Sequence, residues 1–251
     1  MTLEMKERRP HAVLNLETRY LKAKKIELLI SSNRLKEPIR LLEVGTGSGG
    51  IAYYFSSLSD IEYEVTAVDV KDNRLTEEGF EFQLVEGVEL PYDNESFDVV
   101  ISNHVIEHVG DLTSQLEHLS ELNRVLTKSG IGYLAVPNRW MLVEPHYKLI
   151  FLSWLPKFLR SPYLRLFGKG HYYDCEPLQK HEIESMFKKT NFEFKNVCVR
   201  ALKLTFDIEM PNSLPARVIK YIPTFMIELF TPLIPTLIYT IRKSEEKKRL
   251  N

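Results

Sequence analysis

Short apolar runs alternate with longer amphipathic stretches from residue 39 to about residue 200 of the chain. Runs rich in β-branched and aromatic residues are typical of buried strands, whereas apolar residues at steps of three and four indicate helices. We therefore predict strands that end near residues 44 and 103, and further strands at residues 62–70, 80–87, 131–138 and 192–200. Strands that alternate with helices form βαβ units, so the pattern predicts a mostly parallel sheet with helices on both faces.

Three stretches are predicted to be helices, at residues 16–30, 111–126 and 181–190. The helical period is clearest in the second stretch, because leucines recur at steps of three and four residues, at Leu112, Leu116, Leu119, Leu122 and Leu126. Gly130 is expected to end this helix before the next strand. The first helix belongs to an N-terminal cap, residues 1–38, that we expect to pack ahead of the first strand.

The stretch at residues 214–241 is strongly apolar, but charges and prolines interrupt it, at Arg217, Lys220, Glu228, Pro223, Pro232 and Pro235. These interruptions disfavour a membrane-spanning helix, which needs about 20 apolar residues. We predict an apolar helical segment at residues 214–234, followed by an antiparallel last strand at residues 236–241. The segment either buries its apolar face on the core or places it in a membrane interface, with basic residues nearby at Arg242, Lys243, Lys247, Lys248 and Arg249.

Composition indicates an ordinary globular protein, because 44% of the 251 residues are hydrophobic and 27% are charged. We expect one domain over residues 39–251, with an insertion at residues 139–176. The net charge of −1 argues against nucleic acid as a partner. Two cysteines form no disulfide framework, and no apolar run follows the charged residues Lys6, Glu7, Arg8 and Arg9, so we expect a cytoplasmic protein, with membrane contact limited to its periphery.

A glycine-rich turn follows the first apolar run. Gly45, Gly47 and Gly50 satisfy the dinucleotide pattern G-x-G-x-x-G, which alone permits a nicotinamide dinucleotide site. Glu43 argues against that ligand, because a carboxylate repels a diphosphate but attracts an ammonium group. S-adenosylmethionine carries an ammonium group and no phosphate. The alternative is that Glu43 is only a solvated charge at the end of a strand.

A second acidic residue, Asp69, ends the next predicted strand. It follows the glycine turn by about 20 residues, the position from which nucleoside-binding α/β folds accept the two ribose hydroxyls. Both a dinucleotide and S-adenosylmethionine contain this ribose. Asp69 therefore predicts an adenosine ligand without deciding between them.

Three further motifs follow in order, namely Val85-Glu86-Gly87, Leu90-Pro91-Tyr92 and Ser96-Phe97-Asp98-Val99-Val100. With these motifs the chain resembles the class I S-adenosylmethionine-dependent methyltransferases of the small-molecule branch, well over residues 39–138 and loosely over residues 176–201. The resemblance implies a Rossmann-like α/β fold with seven strands and S-adenosylmethionine as cofactor. It also implies that Glu86, where the family usually has Asp, bonds the adenine amino group and that the Gly87 amide meets a ring nitrogen.

The strand ends define the rest of the predicted donor site, since ligands of such sheets bind outside the carboxyl ends of the strands. The glycine turn, with Gly45, Gly47 and Gly49, faces the methionine and sugar, Glu43 faces the amino group through water, and Asn103 lines the methionyl end. The family often covers the donor with a segment ahead of the first strand. Arg19 and Tyr20 are therefore candidate contacts of the donor carboxylate, or else a surface charge and a packing ring.

Candidate catalytic residues follow the fourth strand, in His104-Val105-Ile106-Glu107-His108. His104 is our first candidate for a general base, because it lies nearest the strand end and imidazole titrates near neutral pH. It either removes the acceptor proton or only shapes the donor pocket, while His108 is a helix-start or acceptor-rim residue. The same residues spell the H-x-x-E-H pattern of zinc peptidases, but that pattern must lie within a helix and here it leaves a strand. We assign no metal ligand, although the resemblance leaves a divalent ion open.

The insertion at residues 139–176 is rich in aromatic residues and carries His146, a third catalytic candidate, and His171. Long insertions at the carboxyl edge of a sheet usually form lids or acceptor sites. The aromatic residues either line a sugar or isoprenoid groove or form a satellite core. The motifs Pro137-Asn138-Arg139-Trp140 and Glu144-Pro145-His146-Tyr147 resemble methyltransferases of glycan pathways, and the region near His108 resembles ubiquinone O-methyltransferases.

The expected function is transfer of a methyl group from S-adenosylmethionine to an oxygen of a small molecule, a glycan or a lipid-linked intermediate. Two alternatives remain at this point. The first is a nicotinamide-dependent oxidoreductase or epimerase, which would bind the dinucleotide at the glycine turn. The second is a non-catalytic scaffold that binds S-adenosylmethionine and needs no base.

Overall fold

The computed structural model describes residues 15–30, 35–144 and 146–244. The charged N-terminal residues and the predicted basic residues Lys247, Lys248 and Arg249 lie outside the described residues. The strands are β1 Ile39–Val44, β2 Tyr63–Asp69, β3 Glu81–Leu84, β4 Phe97–Asn103, β5 Leu126–Pro137, β6 Val143–Glu144, β7 Leu149–Ile150, β8 Phe192–Asn196 and β9 Thr236–Lys243. The α-helices are α1 Leu16–Ile30, α2 Gly50–Ser56, α3 Leu112–Val125, α4 Lys157–Leu166, α5 Lys180–Lys189, α6 Cys198–Leu204, α7 Leu214–Ile219 and α8 Thr224–Leu229.

Among the described residues, seven strands form the main sheet in the order β3-β2-β1-β4-β5-β9-β8. The first five strands in this order are mutually parallel, and β9 runs antiparallel to both β5 and β8. Strands β1 and β4 are buried along nearly their whole length, as expected for parallel strands that are covered on both faces. The predicted fold class, including the antiparallel last strand, is confirmed.

Helix α1 occupies the predicted residues and joins the main core. Its side chains Ala23, Ile26, Leu29 and Ile30 are almost completely buried in the hydrophobic cluster that includes strands β1, β4 and β5. Burial of such apolar side chains contributes about 1.5–3 kcal/mol each. The core therefore holds α1 beside the carboxyl ends of the strands.

Two predicted boundaries were wrong. Strand β8 ends at Asn196 and not at residue 200, because the Asn196 side chain accepts a hydrogen bond from the Cys198 amide at 3.0 Å and the chain turns into helix α6. Strand β5 begins at Leu126 and not at residue 131, so helix α3 ends well before Gly130. A register shift between Phe97 and Val99 on strand β4 accommodates this early start.

The apolar segment before the last strand forms two short helices, α7 and α8, where the sequence indicated one. Pro223 precedes helix α8 and separates it from helix α7. Most of the large apolar side chains in this segment are exposed, and among the hydrophobic residues of the two helices burial is limited to Ala216, Ile219 and Ile227. Over the part of the chain that the structure describes, no helix is both long enough and apolar enough to cross a membrane.

Candidate active site

The site lies where the strand order reverses. Strand β1 has β2 on one side and β4 on the other, so the chain segments that follow β1 and β4 leave the sheet in different directions. A crevice opens at such a switch point, outside the carboxyl ends of the strands. Three of the predicted site elements surround it, namely the glycine turn after β1, Asp69 at the end of β2 and Asn103 at the end of β4.

The turn after β1 depends on glycine at several positions. Gly45, Gly47 and Gly49 have positive φ angles of 75°, 57° and 78°. A Cβ atom on Gly45 would lie 2.4 Å from Cγ2 of Val105, and one on Gly49 would lie 2.8 Å from the carbonyl oxygen of Thr76. Larger residues would be both strained and crowded at these two positions, so the sequence of this turn is dictated by its backbone.

Glu43 lies beneath the glycine turn and is 1% exposed, so the alternative of a solvated charge was wrong. Its carboxylate accepts hydrogen bonds from Oγ1 of Thr46 at 2.7 Å and from the amide of Ala52 at 3.0 Å. Burial raises the pKa of Glu43 to about 7, although the hydrogen bond from Thr46 and the charge of Arg19 lower it. Glu43 therefore fastens the turn to helix α2, and its contact with a donor amino group stays a prediction.

Asp69 connects strand β2 to the same turn. Its Oδ2 atom accepts a hydrogen bond from the amide of Gly47 at 2.9 Å, and its partly exposed carboxylate faces the crevice side of the loop. Glu86 and Gly87 follow strand β3 and are exposed, with Gly87 at a φ angle of 70°. Hydrogen bonds thus join both Glu43 and Asp69 to the glycine turn, while Glu86 and Gly87 lie exposed after edge strand β3, and their contact with adenine stays a prediction.

His104 and Glu107 form a hydrogen-bonded pair at the end of strand β4. His104 has a φ angle of 60°, and its amide donates to the carbonyl oxygen of Ala135 at 2.9 Å, which fixes the backbone at this point. Nδ1 of His104 lies 3.2 Å from Oε1 of Glu107, whose side chain is fully buried. Because a carboxylate only accepts, Nδ1 carries the proton and Nε2 keeps its lone pair. Burial lowers the pKa of His104, so the ring is neutral near pH 7.

A cavity of about 260 Å³ lies beside His104 and Asn103. Helix α1 contributes Lys22 and Lys25 to its wall, and the chain after helix α6 contributes Glu209. Lys25 forms an ion pair with Glu209 and donates to Oγ1 of Thr205 at 2.9 Å. Burial, together with the positive charges of Arg19 and Lys25, lowers the pKa of Lys22 to about 8. The cavity therefore holds a neutral imidazole and, near pH 7, a mostly protonated amine.

The two candidate donor contacts on helix α1 have different surroundings. Tyr20 is half exposed, and its ring packs edge-on against Tyr54 at a centroid distance of 4.7 Å, as the packing-ring alternative expected. Arg19 lies against the backbone at Gly50, where a Cβ atom would be 2.7 Å from Cβ of Arg19. Its charge acts on Glu43, so Arg19 belongs to the crevice and is not a remote surface charge.

His108 and His146 lie next to each other, with ring centroids 5.9 Å apart. Nδ1 of His146 pairs with Oε1 of Glu144 at 2.7 Å, and Nε2 of His108 lies 4.0 Å from Oε1 of Glu107. All three predicted histidines are thus gathered on one side of the site, although nothing yet assigns them a catalytic role. In the insertion, a satellite core forms from Leu149, Leu152, Leu164, Tyr173 and Cys175.

The sequence did not predict that Lys22, Glu107 and Cys175 belong to this region of the site. Glu107 carried a signal, because it lies three residues after His104 and this spacing brings two side chains together in a single helical turn. Lys22 and Cys175 carried none. Their positions depend on how helix α1 and the insertion pack against the end of strand β4.

Comparison with known proteins gives a consistent result. A profile described as a methyltransferase domain matches residues 14–197. A ubiquinone biosynthesis O-methyltransferase of Paramagnetospirillum magneticum is 31% identical over 134 residues, which are 48% of this chain and 51% of that enzyme. A demethylmenaquinone methyltransferase of Staphylococcus aureus is 29% identical over 66% of this chain and 72% of that enzyme. The chain thus spans about half the length of the first relative.

A solved structure of the plantazolicin methyltransferase, in complex with a substrate analogue and S-adenosylhomocysteine, shares the fold. It superposes with a TM-score of 0.55 at 16% identity and covers 92% of this chain and 85% of its own. At this identity the similarity concerns the fold alone. The arrangement of strands that forms the crevice is therefore shared with an enzyme that holds the demethylated donor.

The buried carboxyl of Glu43 makes a first prediction, on stability. Burial raises its pKa from 4.5 to about 7, so the folded protein holds a proton that the unfolded chain releases at lower pH. The free energy of unfolding should therefore fall as pH rises from about 4.5 to 7, and Glu43→Gln, which cannot ionise, should lack this part of the pH dependence. We expect the difference between wild type and variant to change by about 3 kcal/mol from pH 5 to pH 8.

Urea denaturation of the ligand-free protein at each pH measures this difference. Glu193→Gln, an exposed glutamate on strand β8, is the matched control and should follow the wild type throughout. A constant difference between wild type and Glu43→Gln across this pH range would contradict the assignment.

Proposed function

Since the chain belongs to the methyltransferase-domain family, and within it to the class I S-adenosylmethionine-dependent enzymes, we propose that it methylates a hydroxyl oxygen of a small-molecule acceptor. S-adenosylmethionine is the cofactor, so the nicotinamide alternative is set aside. The acceptor class is the proposed part. The observation that carries it is the neutral His104 imidazole, oriented by buried Glu107 at the wall of a cavity beside the donor crevice.

The donor is proposed to lie across the switch point, with its ribose at Asp69 and its adenine toward Glu86 and Gly87. The glycine turn then faces the sugar and methionine, and Asn103 lines the methionyl end next to the cavity. Arg19 and Lys22 of helix α1 provide positive charge above the carboxylate of the donor. Glu43 acts from beneath by holding the turn and by adding negative charge near the ammonium group.

Asp69 provides the second prediction. Replacement by alanine removes a charged acceptor of the ribose hydroxyls, which should weaken S-adenosylhomocysteine binding by roughly 1.5–3 kcal/mol, or about 10–150-fold. Asp69→Asn keeps an oxygen for the Gly47 amide and should lose less. Isothermal titration calorimetry measures these affinities, with Asp93→Ala, an exposed carboxylate outside the crevice, as the control. Equal affinities of the two alanine variants would place the ribose elsewhere.

Methyl transfer to oxygen needs alignment of the two reacting atoms and removal of the acceptor proton. His104 is proposed to take that proton at Nε2 while its Nδ1 proton stays bonded to Glu107. Two features support a phenolic acceptor. Two of the similar curated proteins are named ubiquinone biosynthesis O-methyltransferase, and Lys22 places a cation in the same cavity, where it stabilises a developing phenolate. A non-catalytic scaffold that only binds S-adenosylmethionine would need neither His104 as a base nor Lys22 as a cation.

Glycan acceptors are less well supported. Trp140 and Trp154, the rings expected to stack on a sugar, instead pack edge-on against each other at a centroid distance of 5.5 Å. Their indole nitrogens donate to the side chain of Gln179 and to the carbonyl oxygen of Met141. The faces of these rings are thus partly used within the insertion, which favours its role as a satellite core.

The third prediction tests the base. His104→Gln should bind S-adenosylhomocysteine nearly as the wild type does, while methyl transfer to a catechol acceptor falls by about 10²–10⁴-fold. The wild-type rate should rise with pH, because the ring must be neutral, and should level off below the ordinary histidine value of about 6.5, because burial lowers this pKa.

His181→Gln, an exposed histidine on helix α5, is the control and should keep the full rate. An unchanged rate in His104→Gln would exclude this base and leave His108 and His146 as candidates. Loss of donor binding in His104→Gln would instead make the ring part of the donor pocket. Catechol methylation that is absent in the wild type, despite donor binding, would contradict the phenolic acceptor.

Contact with a membrane surface is proposed for residues 214–234. Apolar side chains that a core would normally bury are exposed here, among them Leu214, Val218, Tyr221, Phe225, Leu229 and Phe230. Arg217 and Lys220 lie exposed among them and complement anionic headgroups. The end of the segment, Ile234, lines the cavity, so a lipid-linked acceptor would reach His104 from this surface.

The fourth prediction concerns this contact. Burying one phenylalanine side chain contributes about 1.5–3 kcal/mol, so Phe225→Ser should weaken binding to vesicles of phosphatidylglycerol and phosphatidylcholine by at least about tenfold. Leu84→Ser changes an exposed residue on edge strand β3, at the opposite edge of the sheet, and should bind as the wild type does. Sedimentation with vesicles measures both. Equal binding of Phe225→Ser and wild type would contradict this contact.

A further inference from the structure

Three metal-ligand side chains from distant parts of the insertion meet beside the candidate base. Glu144 ends strand β6, His146 follows in the next turn, and Cys175 comes from the far end of the insertion. One carboxylate oxygen of Glu144, one imidazole nitrogen of His146 and Sγ of Cys175 all lie within 4.8 Å of one another. Glu144 and Cys175 are buried, at 1% and 2% exposure, so this group of atoms is built into the fold.

His108 approaches this group from the side of Cys175, although it lies outside the set of donor atoms that are all within 4.8 Å of one another. Nδ1 of His108 lies 3.9 Å from Sγ of Cys175, and Nδ1 of His146 lies 4.0 Å from the same sulfur. The other nitrogen of His108, Nε2, points the opposite way, toward Oε1 of Glu107 at 4.0 Å. At 4.0 Å this contact is not a hydrogen bond, but the charge of the carboxyl group lies behind the ring, on the side away from Cys175.

Glu107 places a further buried carboxyl group beside His108. Its side chain is fully buried, and among the described residues its Oε2 atom finds no hydrogen-bond partner. A buried carboxylate oxygen without a partner is costly, whereas a nearby cation, acting through His108, offsets the cost. The hydrogen bond to His104 uses only the other oxygen.

We propose that Glu144, His146, Cys175 and His108 bind one zinc ion, which fastens both ends of the insertion to the turn that follows strand β4. Sulfur and nitrogen ligands of tetrahedral zinc lie about 3.6 Å apart, given bond lengths of about 2.3 and 2.1 Å. The two sulfur–nitrogen distances here are 3.9 and 4.0 Å, so small movements suffice for Cys175 and His146, while the ring of His108 turns toward the ion to become the fourth ligand. The carboxylate and imidazole of Glu144 and His146, now 2.7 Å apart, separate to about 3.3 Å as the ion replaces their shared proton.

The donor set identifies the metal. A thiolate with two imidazoles suits zinc, whereas magnesium and calcium prefer oxygen ligands alone. One thiolate and one carboxylate carry two negative charges, which a divalent ion neutralises. Binding releases the thiol proton of Cys175 and the proton between His146 and Glu144 to solvent.

Four protein ligands complete a tetrahedral shell and leave no open position. The ion is therefore structural, since catalytic zinc keeps a site for water or substrate. Cys175 and the pair Glu144 and His146 close the insertion into a loop, and His108 attaches that loop beside Glu107 and His104. Zinc thus fixes the acceptor-side wall and does not enter the methyl transfer.

The fifth prediction tests the ligand set with matched serine variants. The wild type, purified without chelator, should contain about one zinc ion per chain, as measured by inductively coupled plasma mass spectrometry. Zinc affinity should fall by more than about 100-fold in Cys175→Ser. Loss of a residue that only orients a ligand costs about 10–100-fold, so a larger loss indicates a direct ligand. Cys198→Ser alters the other buried cysteine and should keep its zinc. Full zinc content in Cys175→Ser would overturn the proposal.

A second measurement does not depend on the variants. Cobalt added to chelator-treated wild type should produce the thiolate charge-transfer band and the visible bands of a tetrahedral site, and zinc should abolish them. Absence of these bands, together with no zinc in the purified wild type, would overturn the proposal. The chelated protein should still bind S-adenosylhomocysteine, so this result is separable from failure of the donor or acceptor proposals. Its melting temperature should fall and recover when zinc is restored.

Discussion

The site depends on one topological constraint, the placement of strands β1 and β4 side by side in a parallel sheet. Their neighbours continue the sheet in opposite directions, so the backbone after β1 and the backbone after β4 diverge and leave a crevice. The glycine turn fits this crevice only because positions 45 and 49 have no side chain to meet Val105 and Thr76. Buried Glu43 then fixes the turn from below, through Thr46 and Ala52.

A second buried carboxylate, Glu107, connects the two functional regions that we propose. Its Oε1 atom lies 3.2 Å from Nδ1 of His104 and 4.0 Å from Nε2 of His108. One fully buried carboxyl group thus orients the imidazole of His104 by a hydrogen bond and lies close enough to His108 to act on its charge. A change in the charge state of either ring is felt by the other through this oxygen, because both interactions act in a region of low dielectric constant.

The sequence was sufficient for features that local chemistry determines. Positive φ angles restrict the turn to glycine, and the period of apolar residues placed helix α3 and most strands correctly. It failed for strand β8, because the hydrogen bond that the Asn196 side chain accepts from the Cys198 amide ends that strand earlier than the apolar pattern suggests. It also failed for Lys22, since only the packing of helix α1 against the strand ends brings that amine to the cavity.

Cys175 shows the same limit for the insertion. A lone cysteine far along the chain from Glu144 and His146 forms no spacing motif, and only the folded satellite core brings its sulfur between two imidazoles.

Exposure of side chains is equally hard to predict from the sequence, because the apolar pattern of residues 214–234 is compatible with burial on a core or with exposure. The short helices around Pro223 bury few side chains and leave Phe225 and Leu229 exposed.

The exposed apolar surface and the cavity share part of their structure. Helix α6 and the end of the apolar segment, at Ile234, Pro235 and Thr236, both line the cavity, and Lys203 of helix α6 donates to Thr224 of helix α8 at 2.9 Å. A membrane that orders helices α7 and α8 would therefore also order the wall opposite His104. An acceptor with a long apolar tail would then leave its tail in the lipid while its hydroxyl enters the cavity. Contact of the tail with lipid would strengthen acceptor binding, and the tail would stay outside the site of methyl transfer.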